Sequence, residues 1–262
     1  MGRVGNPSRW YEADTEARVL RAQSFGPEAA SYDEHRPDYP LAGIRWALEP
    51  LRGNPEPAVL DLGAGTGKLT SGLLAVGAAV TAVDPDPAMR AEFTRHHPEV
   101  AALSGSAEAI PLPDDSVDAV LVGQALHWFD RERAYPEIAR VLRPGGVLAA
   151  LWNTHDAGVD WVAELDRIAR RAEPEPALDD RPAPTHPLFP AFERAYFPHT
   201  QRRTAESLTA TLGTHSHTLV VTPERRAELL GNILGYLRGR PETAHGEFDF
   251  PLRTLVIRAV VS

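Results

Sequence analysis

The 262-residue chain contains no cysteine, which excludes disulfides, thiolate metal sites and a cysteine nucleophile. It is short of basic charge: 27 Lys and Arg stand against 36 Asp and Glu, for a formal net charge of −9. Nucleic acid and anionic lipid both repel such a chain, so neither is an expected partner. No run approaches the ~18 apolar residues of a membrane span. The segment Met1-Gly2-Arg3-Val4-Gly5-Asn6-Pro7 lacks the apolar core of a signal peptide, and a soluble cytoplasmic protein is expected. Nothing in the sequence speaks to oligomeric state. What is present is ordinary for a globular protein, 43% hydrophobic and 24% charged residues, in a length that fits one domain with an elaborate cap.

Three zones follow one another. Residues 1–57 are polar and irregular, punctuated by aromatics, with a short helix expected at Arg45-Trp46-Ala47-Leu48 that ends near Pro50. Residues 58–153 alternate short apolar runs with helical spacing. Strands are expected at Ala58-Val59-Leu60-Asp61-Leu62, at Ala79-Val80-Thr81-Ala82-Val83-Asp84, and over 100–104, 118–122 and 147–152. Helices are expected from Lys68 to Ala75, from Pro87, and over 131–142, where Arg143-Pro144-Gly145-Gly146 supplies a stop. Alternation of this kind implies a parallel sheet with helices on both faces. In the third zone the spacing predicts a helix over 161–172, a proline-rich connection over 173–190, a strand over 192–202, a helix over 224–237 and a closing strand over 248–261.

The sharpest local signal is Asp61-Leu62-Gly63-Ala64-Gly65-Thr66-Gly67, between the first strand and its helix. Glycines there let the backbone turn tightly and let a ligand lie against the main chain, beside a helix N-terminus that favours polar groups. A triphosphate loop needs Gly-x-x-x-x-Gly-Lys-Ser/Thr; Leu62 stands where its first glycine belongs and Leu69 where its hydroxyl belongs. The dinucleotide fingerprint needs a glycine where this chain has Lys68, which weakens that reading without removing it. Asp84 ends the second strand about twenty residues on, where a carboxylate can accept from the vicinal hydroxyls of a ribose. Its alternative is a solvated carboxylate at a helix start.

With Asp84, Gly105-Ser106-Ala107-Glu108 and Leu142-Arg143-Pro144-Gly145-Gly146, this loop resembles the successive motifs of class I S-adenosylmethionine-dependent methyltransferases. The resemblance implies an α/β, doubly wound, mostly parallel seven-stranded sheet with an antiparallel last strand. It divides the chain into an N-terminal lid (1–57), a cofactor-binding core (58–203), a helical cap (204–247) and the closing strand (248–262). It implies S-adenosyl-L-methionine as cofactor, with S-adenosyl-L-homocysteine as product. By the same resemblance the Gly63-Ala64-Gly65 and Gly67 backbone, with Asp61, would face the methionine part and Asp84 the ribose. Pro85 and Met89 would lie beside the adenine, Ser106, Ala107 and Glu108 at the adenine edge, and Gln124 and Ala125 near the methyl group.

The residues after the fourth strand sort the subclasses. Gln124-Ala125-Leu126-His127 lacks the Asn/Asp-Pro-Pro-aromatic run of amino-methylating enzymes on adenine or amide nitrogen. Gly123-Gln124 lacks the aspartate of magnesium-dependent catechol-type enzymes, and a lone Asp130 is no metal site, so no metal is expected. The missing cysteine removes thiolate-dependent cytosine methylation. Leu126-His127-Trp128-Phe129 and Tyr32-Asp33-Glu34-His35-Arg36-Pro37-Asp38-Tyr39-Pro40 resemble motifs of small-molecule methyltransferases related to trans-aconitate methyltransferase. The acceptor is then a small molecule, with Tyr32 and Arg36 on a segment over the cofactor and Arg36 able to pair with the methionine carboxylate. His127 is the candidate catalytic residue, as base or as a hydrogen-bonding group; its alternative is packing beside Trp128. Glu108 and Arg36 read without the motifs are surface charges, His215 and His217 lack a third metal ligand, and His96-His97 reads as a solvated helix end. A NAD-type protein, a non-catalytic cofactor-binding module and an RNA or protein methyltransferase stay open as alternatives.

Overall fold

A computed structural model describes residues 37–169, 186–189, 191–213 and 222–261. Seven strands form one mixed sheet: β1 (Ala58–Leu62), β2 (Ala79–Asp84), β3 (Ala101–Ser104), β4 (Val117–Gly123), β5 (Leu142–His155), β6 (Glu193–Arg203) and β7 (Phe248–Val260). Their order is β3-β2-β1-β4-β5-β7-β6. β1 pairs in parallel with β2 and β4, β2 with β3, and β4 with β5. β7 runs against both of its neighbours, β5 and β6. Chain order reverses between β1 and β4, and open sheets of this kind receive ligands at that crevice, outside the carboxyl ends of the strands.

Helices cover both faces: α1 (Leu41–Leu48), α2 (Lys68–Ala75), α3 (Pro87–His96) and α4 (Arg131–Val141). Alternation along β4 explains why its sequence is apolar throughout. Val120 and Val122 join a cluster with Leu60, Tyr135 and Ile138 on one face. Ala119 and Leu121 meet Ile44, Leu69 and Leu73 on the other. Truncating any of these fully buried leucines should cost about 2–5 kcal/mol. Three further helices, α5 (Asp160–Ala169), α6 (Ala205–Gly213) and α7 (Pro223–Arg238), share a separate cluster in which Trp161, Leu208 and Leu237 pack with Phe248 and Phe250 of β7.

Two expectations change. The fifth strand, expected over 147–152, begins as soon as α4 ends. Its register passes from Val117↔Leu142 to Ala119↔Val147, so Arg143–Gly146 bulge out of the ladder, with Gly145 at φ +77° and Arg143 anchored on Asp118 at 2.7 Å. The glycines therefore stop the helix and also shape a bulge. The helix expected over 161–172 is described as Asp160–Ala169, and its expected last turn, like the proline-rich connection over 173–185, lies outside the described residues.

Candidate functional site

The loop after β1 is held by main-chain geometry. Gly63, Gly65 and Gly67 take φ of +73°, +57° and +96°, a region that side chains penalise. Gly63 and Ala64 donate to the Val83 carbonyl at 2.8 and 3.2 Å, and Gly67 donates to Ala64 at 3.0 Å. Asp84, at the end of β2, accepts from the Gly65 N–H at 2.9 Å and, through its other oxygen, from Asp86 N–H at 2.9 Å. Asp86 rather than Asp84 caps α3, accepting from Ala88 and Met89. Each Asp84 oxygen thus accepts one main-chain N–H and keeps a second lone pair.

Across the crevice stand the tips of β4 and β5. Gln124 leaves β4 in left-handed backbone at φ +56° and donates through Nε2 to the Asn153 carbonyl at 3.1 Å. Asn153 Nδ2 donates to the carbonyls of Pro37 and Asp38, while its Oδ1 accepts from Thr254 at 2.6 Å. These bonds seat Pro37 and Tyr39 at the cleft. The ring of Tyr39 lies where a side chain at Gly123 would have to go, 2.6 Å from its hydroxyl. The resulting open cleft is lined by Asp61, Gly63–Thr66 and Lys68 on one side, and by Gly123, Gln124, Asn153 and Tyr39 on the other.

Of the residues singled out from sequence, Asp61, Gly63, Ala64, Gly65 and Gln124 come together in this cleft. Ala125 packs on Gly63, whose missing Cβ would lie 2.9 Å from the Ala125 Cβ. Gly67 ends the loop as the residue before α2. Met89 and Ala107 are buried, Ser106 makes a bridge to Ala109, and Pro85 follows β2. Glu108 is not a free surface charge: Oε1 accepts from the Asp130 N–H at 2.9 Å and ties its loop to the start of α4. His127 sits in the short 3-10 turn Leu126–Trp128, its ring 4.6 Å from that of Trp128, outside the residues that line the cleft. Tyr32, Arg36, His215 and His217 lie outside the described residues.

His97 is a correction. Expected in solvent, it is 8% exposed and turned under the loop, with Nε2 3.2 Å from the Gly67 carbonyl. A histidine at a helix end looks solvated in sequence, and only a contact thirty residues away buries it. Asn153, Thr66 and Tyr39 also line the cleft without having been named as site residues from sequence. Thr66 lies inside the glycine motif itself and could have been found there. Asn153 carries no motif.

The electrostatics centre on Asp61. It is fully buried, and loss of water pushes its carboxyl up to about 7, a rise that the Thr70 hydrogen bond opposes and the charge of Asp84 reinforces. Thr70 Oγ1 donates to Oδ2 at 2.6 Å. Asp61 Oδ1 and the Thr66 hydroxyl, both buried at the cleft, find no partner among the described residues. Buried polar atoms are rarely left so. Both belong to residues that line the cleft beside the glycine backbone. Burial likewise raises the Asp84 carboxyl, against the two backbone N–H groups that stabilise its charge. Among the described residues no three His, Asp or Glu side chains gather as a metal site, and no helix is long and apolar enough to cross a membrane.

The fold and this cleft define an α/β protein that binds a ligand at its sheet's switch point, and comparison with known proteins narrows the class. Residues 60–150 match a family model described as a methyltransferase domain. An uncharacterized methyltransferase of Mycobacterium tuberculosis is 40% identical over 240 residues, covering 91% of this chain and 96% of that protein. A malonyl-(acyl-carrier protein) O-methyltransferase of Methylococcus capsulatus is 39% identical over 162 residues, 57% of each. A solved structure presented as a type II methyltransferase, from Anaeromyxobacter dehalogenans, matches with a TM-score of 0.63 at 31% identity, over 86% of this chain and 96% of that one. The chain belongs to the methyltransferase family. Its seven-stranded mixed sheet is that of class I structures, and membership of that class implies S-adenosylmethionine as methyl donor.

Proposed function

We propose that the protein transfers the methyl group of S-adenosylmethionine to a small-molecule acceptor, as the trans-aconitate methyltransferase group does. The observation that carries the cofactor half is the pair of buried, unpartnered polar atoms on Asp61 and Thr66 beside a backbone-only loop. Gly63, Gly65 and Gly67 hold the methionine part and Asp84 the ribose hydroxyls. Pro85, Met89, Ser106, Ala107 and Glu108 surround the adenine, and Gln124 and Ala125 border the reacting end. The expected lid over 1–57 is cut short, because Leu41–Leu48 form α1 and bury Ile44 and Ala47 in the core. The lid role falls to the part before it, with Tyr32 and Arg36, and residues 204–247 cap the acceptor side of the core. The bound cofactor supplies a methyl group already activated on a sulfonium. The chain's own residues hold the acceptor in line at about 3 Å, exclude water, and take a proton where the acceptor carries one, a task assigned to His127. A net charge of −9 repels nucleic acid and favours a small acceptor over RNA.

A second reading follows from the Methylococcus relative, whose printed name makes its acceptor a malonyl group on a carrier protein. A carboxylate acceptor needs no base, and His127 would then only orient it.

Calorimetry with S-adenosylhomocysteine and NAD tests the cofactor. Binding of the first and not the second is expected; preference for NAD refutes the proposal. Labelled S-adenosylmethionine offered with a panel of small acids, phenols and amines, and with a malonyl-loaded carrier protein, tests the acceptor. Label entering the carrier alone would replace the small-molecule reading with the second one.

A further inference from the structure

The glycine loop is well defined on its β1 and β2 sides, and its last residue is the weak point. Gly67 has no side chain, sits at φ +96°, and serves as N-cap of α2 without a side-chain cap of its own. A glycine in that position has more backbone freedom to lose than any other residue. What confines it comes from the far end of α3. His97 N–H closes on the Phe93 carbonyl at 2.8 Å, and its ring leans on the Phe93 ring at 5.2 Å. That stance aims Nε2 at the Gly67 carbonyl, 3.2 Å away, and at the Ser71 hydroxyl, 3.1 Å away.

The contact is steric as well as polar. A Cβ on Gly67 would fall 2.5 Å from the His97 ring carbon Cδ2, so the imidazole occupies the space beside Gly67 that a side chain would need. With the hydrogen on Nε2 the ring donates to the Gly67 carbonyl, and the Gly67 peptide is held with its carbonyl turned towards α3. Its carbonyl also receives the Ser71 N–H at 3.0 Å, which makes Gly67 O the shared anchor of α2's first turn and of His97.

We propose that His97 is a positioning residue for the cofactor: by clamping the Gly67 carbonyl from beneath, it keeps the loop and the start of α2 in their binding form before the ligand arrives. A loop ordered beforehand loses less entropy on binding, and the gain appears as affinity. The inference rests on the reading that this loop holds S-adenosylmethionine, and nothing in it requires His97 to touch the ligand.

The test uses the full chain, two substitutions and S-adenosylhomocysteine as probe. His97→Phe keeps the ring and loses the bond; His97→Gln offers an amide N–H at similar reach. Amide exchange at Gly67 through Ser71 in the ligand-free protein should quicken in His97→Phe and stay near wild type in His97→Gln. Affinity measured by calorimetry should fall about tenfold in the first, as loss of one well-placed hydrogen bond implies, and less than about threefold in the second. A histidine that only supports the fold would lower the thermal midpoint of both variants without separating their affinities. Wild-type protein that binds no S-adenosylhomocysteine would overturn the functional reading. Unchanged exchange and affinity within twofold of wild type in His97→Phe would overturn the clamp. If His97→Phe does not fold, affinity and loop exchange in His97→Ala decide by the same criteria.

Discussion

On the β1–β3 side the cleft is lined largely by backbone: Gly63 and Gly65 at positive φ and carbonyls and N–H groups paired with one another, with Asp84 at the end of β2 holding the Gly65 N–H. On the β5–β7 side the wall is set by side-chain bonds. Gln124 Nε2 donates to the Asn153 main-chain carbonyl, Thr254 Oγ1 donates to Asn153 Oδ1, and Thr254 lies 3.0 Å from His199 Nε2. A backbone wall is specified by where side chains are absent, so its substitutions act through strain. A side-chain wall can be altered one hydrogen bond at a time. The first suits a ligand that never changes, the second an acceptor that differs among enzymes sharing a fold.

The largest effects should therefore come from adding atoms on the first side. Gly67→Ala places a Cβ at a φ that costs on the order of 1–3 kcal/mol and drives it into His97. S-adenosylhomocysteine affinity should fall by about a hundredfold by calorimetry. A loss under fivefold in a folded variant would mean that the loop is not what selects the ligand. Asp84→Ala comes next. It strands two backbone N–H groups and the ligand's hydroxyls together, for about 1.5–3 kcal/mol, roughly a tenfold to hundredfold loss. Affinity within twofold of wild type would remove Asp84 from the site.

Asp61 and His199 set the two sides against each other in pH. Asp61 titrates near 7 in the fold against 3.8 as a free side chain. Its folded form therefore holds a proton that the unfolded chain gives up. The stability it contributes is complete below 3.8 and is lost as pH rises towards about 7, a difference on the order of 4 kcal/mol. Burial moves His199 the other way, below 6.5, with the charge of Asp38 opposing. Folding resists its protonation, so its side of the sheet gains stability as pH rises to 6.5. Asp61→Asn keeps an acceptor for Thr70 and cannot ionise. Its thermal midpoint at pH 8 should rise above wild type while S-adenosylmethionine affinity drops about tenfold, because the acceptor facing the cationic ligand has lost its charge. A lowered midpoint at pH 8 would show that Asp61 is ionised and well solvated in the fold.

The same contrast decided what could be read from sequence. Strands β1 and β4 are short, mostly buried apolar runs, each followed by or ending on a glycine, and their positions follow from that pattern. Asp84 is legible because a ribose-binding carboxylate must stand where the second strand ends. The β5–β7 side has no such signal. Asn153 and Thr254 are a hundred and one residues apart in sequence and meet only because β7 runs back alongside β5. The start of β5 at Leu142 was hidden by Pro144 and two glycines, which look like an ending and are a bulge. His97 was misread for a related reason: its partner Gly67 lies thirty residues earlier, and a polar residue at a helix end gives no local hint of burial.

The smallest effect on cofactor affinity is expected at His127, and that is what would make it informative. Its ring packs on Trp128 in a 3-10 turn after β4, and it does not line the cleft that holds the glycine loop. His127→Ala should therefore leave S-adenosylhomocysteine affinity within about twofold of wild type. Turnover is a separate quantity. If the acceptor is a phenol, hydroxyl or amine that must lose a proton, an imidazole in reach contributes roughly 10²–10⁴-fold, and its removal should slow transfer at least tenfold. If the acceptor is a carboxylate, no proton is lost; transfer should then fall through a higher KM at an unchanged kcat, because the residue only orients a group already able to attack. Normal kcat and KM with the identified acceptor would leave His127 a packing partner of Trp128 and place acceptor alignment in the cleft-lining side chains of Gln124 and Asn153.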